Sequence, residues 1–130
     1  MVTVPEAVKE ELLVEGKAGQ TVIAEAINAG WIRIANPKKN TDLGLGKGEN
    51  SAINLAKETG DKLIIDDAIA IKAAKTLNVE VIRTTTIIVM AVEKRILRRK
   101  QAISVIGNLI SAGYYISPKY VTAILTRLNI

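Results

Sequence analysis

The sequence predicts an α/β fold, with a short parallel sheet followed by a helical C-terminal part. Two patterns predict it. Lys62–Ile65 and Val79–Ile82 are short apolar runs without alternation, as strands buried on both faces require, and the Ala-rich stretch Asp67–Leu77 between them is helical. That strand–helix–strand spacing is a right-handed βαβ unit. Beyond Ile82 every apolar pattern is helical.

In chain order, Val2–Val4 reads as a short strand stopped by Pro5, which suits the first turn of a helix running to about Glu15. Gly16 and Gly19 punctuate the chain, and a second helix covers Thr21–Asn28 before Gly30. Trp31–Ala35 alternates apolar and polar residues and reads as a strand. Asn36–Gly48, with its Pro, Gly, Lys and Asn, is a loop. Glu49–Thr59 is a helix with Ala52, Ile53, Leu55 and Ala56 on its inner side. After the βαβ unit come helices over Ile87–Leu97 and Gln101–Ala112, a break at Gly113–Pro118, and a last helix over Lys119–Leu128. No internal repeat divides the 130 residues, which are read as one domain spanning 1–130.

Composition excludes several classes of function. The chain has no Cys and no His, so it has no disulfide framework, no thiolate or imidazole metal site and no histidine general base. Any bound metal has oxygen ligands, which suits Mg²⁺ or Mn²⁺. No apolar run approaches the roughly 20 residues that span a bilayer, so no membrane association is expected. Pro5 and Glu6 interrupt any leader-like N-terminus, and a cytoplasmic protein is expected. The chain is 48% hydrophobic, an apolar excess that points to surface covered by a second copy, hence a homodimer. A net charge of +5 favours polyanionic partners only weakly.

Four acids stand out. Functional groups in parallel α/β sheets collect at the C-terminal ends of strands and the adjoining helix N-termini. Asp66 and Asp67 occupy such a strand end, and Glu49 opens the preceding helix on the face of Ala52, Ile53 and Ala56. Glu11 falls on the apolar stripe with Ala7 and Val8, whereas Glu6, Lys9 and Glu10 point elsewhere. Ionised together, these carboxylates repel one another, and a divalent cation relieves that repulsion while activating water for phosphodiester hydrolysis. A structural reading stands beside this one. Asp67 suits a helix N-cap, Glu49 suits a first-turn acid favoured by the helix dipole, and Glu11 suits a salt bridge to Lys at the core rim.

The basic run Lys94, Arg95, Arg98, Arg99 and Lys100 also has two readings. It is either a solvated helix end whose cations match the C-terminal dipole or a ridge that contacts phosphates. Trp31, Tyr114, Tyr115 and Tyr120 do not interleave with it, which argues against a base-stacking platform. Tyr114 and Tyr115 are expected to pack in the core or against a second copy. The glycine-rich Gly44–Gly48 segment lacks the Gly-Lys-Ser/Thr ending of a phosphate loop and does not follow a strand.

Four segments in order resemble an uncharacterised archaeal and bacterial branch of the PIN-domain proteins, related to toxin ribonucleases. They are VPEAVKEEL (Val4–Leu12), LGKGENSAINLAKE (Leu45–Glu58), LIIDDAIAIKAAKTLNVEVI (Leu63–Ile82) and ISAGYYISPKYVTAIL (Ile110–Leu125). The resemblance implies a three-layer α/β/α sheet fold with acids at one edge holding Mg²⁺ or Mn²⁺. It implies an endoribonuclease, toxin-like, with an antitoxin-like partner protein. Glu11 matches the acid of the Pro-x-x-Val-x-x-Glu-Leu motif, Glu49 the acid opening the middle helix, and Asp66–Asp67 the strand-end pair. All four would be catalytic metal ligands acting on RNA.

Three departures qualify the match. The family's first strand, with its Asp, and the helix after it have no counterpart, so the fold is expected to be N-terminally truncated. A sheet lacking that central strand needs either a rearranged order or a strand from another copy. The later motif, usually with two Gly, reads Arg83-Thr84-Thr85-Thr86, and Ile71 stands where an Arg is customary. These departures leave a non-catalytic PIN-like module, binding RNA or a partner protein, as the alternative.

Overall fold

The structure, a computed structural model, describes residues 1–129. Its contacts divide the chain into two compact units, Met1–Val81 and the residues from Ile82 onward. Each unit has its own apolar core.

The first unit begins with β1 (Val2–Val4), which pairs in parallel with β2 (Ile32–Ile34), Thr3 standing opposite Arg33. Between them lie α1 (Glu6–Leu12) and α2 (Gln20–Ala29). Pro5 is the N-cap of α1 and not its first residue. Proline offers no side-chain acceptor, and Asn36 supplies one from 30 positions away, its Oδ1 accepting from Glu6 N–H at 2.9 Å. Helix α1 ends three residues before the predicted Glu15. The Lys17 ammonium donates to the Glu11 carbonyl at 3.1 Å, an oxygen that a longer helix would use for its own next turn.

Helix α3 (Lys47–Thr59) starts two residues earlier than expected, its first bond running from Asn50 N–H to Gly46 O. It packs against α1, against β3 (Leu63–Ile64) and against α4 (Ala68–Thr76). Strand β4 (Val81–Ile82), whose Val81 closes this unit, neighbours β3. The βαβ reading therefore holds, with shorter strands. The core joins Ile53 and Ala56 of α3, Leu63 and Ile65, Ala70, Ile71 and Ala74 of α4, and Val79. Ile71 is thus a packing residue.

The fold is mixed α/β with short sheets, as expected, yet the strands make two sheets, β1–β2 and β3–β4. The order is not rearranged to join them. A cavity of about 480 Å³ has β1 on one wall, Asp61–Ile64 on the other, and Val8 and Ala52 beside them. Because Val2 N–H and Val4 C=O both bond toward β2, the Thr3 backbone faces the opposite way, and Thr3 lines this slot.

The second unit is helical: α5 (Thr84–Glu93), α6 (Arg99–Ser111) and α7 (Pro118–Arg127). Ile88 and Val89 pack with Ala102, Ile124 and Leu128. Helix α5 starts at Thr84 although three β-branched residues open it, because Thr85 is buried and tertiary packing outweighs propensity. It ends four residues before the predicted Leu97, since Arg95 turns to φ +60°. Ser117 caps α7 through Tyr120 N–H, with Pro118 in the first turn. Tyr114 is half-buried, whereas Tyr115 is exposed and is no part of the core. Arg83 stands over the Tyr120 ring, 4.7 Å from its centroid.

Candidate functional site

Three of the four singled-out acids lie around the first turn of α3, which packs against α1 on one hand and α4 on the other. Glu11 is the penultimate residue of α1. It is exposed, a correction to its expected place on a buried stripe, because α1 buries no residue fully. Its carboxylate lies against the first turn of α3, so that a Cβ built on Gly48 would stand 2.7 Å from Oε1 and 2.9 Å from Oε2. Glycine at position 48 is what lets the two helices bring this acid in. No ion pair among the described residues neutralises Glu11; Lys17 reaches only its backbone.

Glu49 is the third residue of α3 and half-buried. Its carboxyl is raised above the ordinary value, first by desolvation, then by the negative charges of Asp67 and Glu11. The electrostatics thus bring three acids from three elements into one field. Asp67 is the N-cap of α4, Oδ2 accepting from Ala70 N–H at 2.9 Å. The structural reading of Asp67 is therefore realised, and Oδ1 of the same carboxylate makes no bond to the helix. Asp66 is half-buried and has an interaction of its own, and the charges that raise Glu49 are those of Asp67 and Glu11.

Oxygen donors of this kind suit a hard divalent ion. Their spacing is more open than a finished site. Among the described residues no group of three acids stands close enough together to hold a metal.

A second feature escaped the sequence reading. Asn50 and Asn54, buried on α3, clamp the 40–43 loop. Both side-chain amides donate to Asn40 Oδ1 at 3.1 Å and to the Thr41 carbonyl at 3.0 and 2.8 Å. Asn50 Oδ1 accepts from Leu43 N–H at 2.7 Å, and Asn40 donates to Ser51 Oγ at 3.2 Å. Among the described residues no buried side-chain polar atom is left without a partner. A concavity of about 420 Å³ opens here, lined by Ala7, Asn40, Asp42, Lys47 and Asn50 among others. The signal was present in the sequence: two Asn four apart, which stand side by side on one face of a helix.

The basic run is not one helix end. Lys94 caps the end of α5, Arg95 lies in the turn, Arg98 is the N-cap of α6, and Arg99 and Lys100 are in its first turn. Only Lys94 sits where a C-terminal dipole favours a cation. Arg98, Arg99 and Lys100 sit at the positive end of a dipole, where that explanation fails.

A family model, DUF3368, described as a PIN domain, matches residues 1–129. No curated protein and no solved structure gives a significant match. Among the described residues no helix is long and apolar enough to cross a membrane.

Proposed function

Because the chain belongs to the DUF3368 family of PIN domains, a fold generally dependent on divalent metal, we propose that it is a metal-dependent endoribonuclease, toxin-like in its chemistry. Glu11, Glu49 and Asp67 would hold Mg²⁺ or Mn²⁺, with Asp66 behind them at the strand end. The observation that supports this is that acids from α1, α3 and α4 act on one another: the Glu49 carboxyl is raised first by its burial and then by the charges of Asp67 and Glu11. The chemistry a divalent ion would supply there is activation of a water and neutralisation of charge developing on a phosphodiester. The chain's own groups do the rest. Gly48 admits Glu11, the Ala70 N–H fixes Asp67, and the Asn clamp holds the neighbouring loop still. Lys94, Arg95, Arg98, Arg99 and Lys100 would contact RNA phosphates. The setting is cytoplasmic, with an antitoxin-like protein as a partner. A second copy is the expected source of a strand for the slot between β1 and β3, whose Ile64 is 45% exposed.

A fluorescently end-labelled single-stranded RNA with Mn²⁺ tests the proposal. Cleavage by the wild type that is lost in Glu49→Gln supports it. Retained cleavage in that variant contradicts it. The second reading, a module that binds RNA or a partner protein without cutting, is favoured by the open spacing of the acids among the described residues. It would show as RNA binding with no cleavage at any Mn²⁺ concentration.

A further inference from the structure

Arg95 occupies a left-handed backbone conformation, φ +60°, immediately after the cap of α5. That position usually goes to Gly, or to Asn as at Asn78 and Asn129 of this chain. An Arg there carries a steric cost that its backbone bond to the Val92 carbonyl does not require, since any residue could make it. Arg95 lines a concavity of about 440 Å³ together with Arg98, Arg99, Arg127 and one acid, Glu93. Arg127 pairs with Glu93 at 2.8 Å. Among the described residues Arg95, Arg98 and Arg99 form no ion pair.

Glu93, the one acid of this lining, is paired with Arg127, so Arg95, Arg98 and Arg99 leave the pocket with an excess of positive charge, and two of the four arginines belong to the cap and first turn of α6. Like charges crowded at the positive end of a helix repel one another and the dipole alike. Both repulsions vanish if a multiply charged anion enters. Guanidinium forks and the first-turn N–H groups of a helix offer the donor geometry that phosphate oxygens accept.

We infer that this pocket binds a phosphate monoester dianion, held by Arg95, Arg98, Arg99 and Arg127. The proposal rests on reading the basic run as a phosphate contact and sharpens it. A concave pocket takes a terminal phosphate, whereas a ridge follows a strand and is indifferent to its ends. Lys94 and Lys100 do not line the pocket and are not part of this site. The acidic cleft need not hold metal for it to work.

Titration calorimetry on the full chain, with EDTA present so that cleavage plays no part, tests this. The probes are inorganic phosphate, adenosine monophosphate, and one short RNA carrying either a 5′-phosphate or a 5′-hydroxyl. The phosphorylated RNA is expected to bind at least about tenfold tighter than the hydroxyl form, as charge-assisted hydrogen bonds imply. Adenosine monophosphate binding as tightly as that RNA would identify a free nucleotide as the source. Weaker binding of the mononucleotide would identify an RNA end. Arg98→Gln should abolish the preference. Arg95→Gly provides a control against misfolding, since it should raise the thermal midpoint by roughly 2–6 °C while weakening binding about tenfold. Equal binding of the two RNAs, or Arg95→Gly that binds phosphate as well as the wild type, would overturn the pocket. Salt-dependent RNA binding without end preference would do so while leaving the ridge intact.

Discussion

The carboxylate of Glu11 fills the space that a side chain at Gly48 would need, its Oε1 only 2.7 Å from where a Cβ would be. Gly48 lies in the first turn of α3 without a positive φ, so its backbone does not demand glycine. Replacing it with Ala would ordinarily stabilise a helix by about 0.5–1 kcal/mol. The obstruction is the end of a flexible side chain, which can swing away. Gly48→Ala is therefore expected to leave thermal stability unchanged or higher while displacing Glu11 and weakening Mn²⁺ binding by about tenfold. Thermal unfolding and calorimetry on the same preparation check both halves.

Glu49 should respond to pH with a definite sign. Its folded-state value lies above the ordinary one, so between the two the folded chain binds more protons than the unfolded chain. Stability therefore falls as pH rises through that window, and the deficit persists at neutral pH. Glu49→Gln removes the charge and is expected to raise the metal-free thermal midpoint at pH 7 by roughly 1–3 °C. The gain should vanish below the ordinary carboxylate range. Melting curves of both proteins between pH 3.5 and 7, in steps of about half a unit, follow it.

Asp67 serves as both cap and charge, and two substitutions separate the roles. Asp67→Asn keeps an acceptor for Ala70 N–H, and its stability should stay within about 0.5 kcal/mol of the wild type. Asp67→Ala loses the bond and should cost about 1 kcal/mol. Both should lose Mn²⁺ affinity. Denaturant unfolding beside metal titration distinguishes the two effects.

These positions show what the sequence made legible. The βαβ spacing, the Asp67 cap and the Glu49 side of α3 followed from local pattern. The start of α3 did not, because Gly46 and Gly48 read as loop until Glu11, distant in the chain, supplies the reason for Gly48. The exposure of Glu11 was hidden too, since a helical wheel ranks faces without knowing how deeply the partner helix covers them. The end of α5 depended on Arg95 adopting a conformation that residue type disfavours.

The asparagine clamp should cost more than any of these when broken. Asn54→Ala removes donors to Asn40, Thr41 and the Asn50 carbonyl at a buried position, and a loss of about 1–3 kcal/mol is expected. Limited proteolysis should then cut within residues 36–46 first, where the wild type resists.

Covering the slot between β1 and β3 by a second copy has its own consequence. Sedimentation velocity is expected to show a dimer for the wild type and a monomer for Ile64→Lys, which puts a charge on the slot wall.

The most direct trial of the nuclease reading is Mn²⁺ binding at pH 7, measured by calorimetry on the wild type and on Glu11→Gln, Glu49→Gln and Asp67→Asn. One site per chain, weakened at least about tenfold by each substitution, is the expected result. No Mn²⁺ binding by the wild type, or binding that all three substitutions leave intact, would mean that Glu11, Glu49 and Asp67 repel one another without ever sharing an ion.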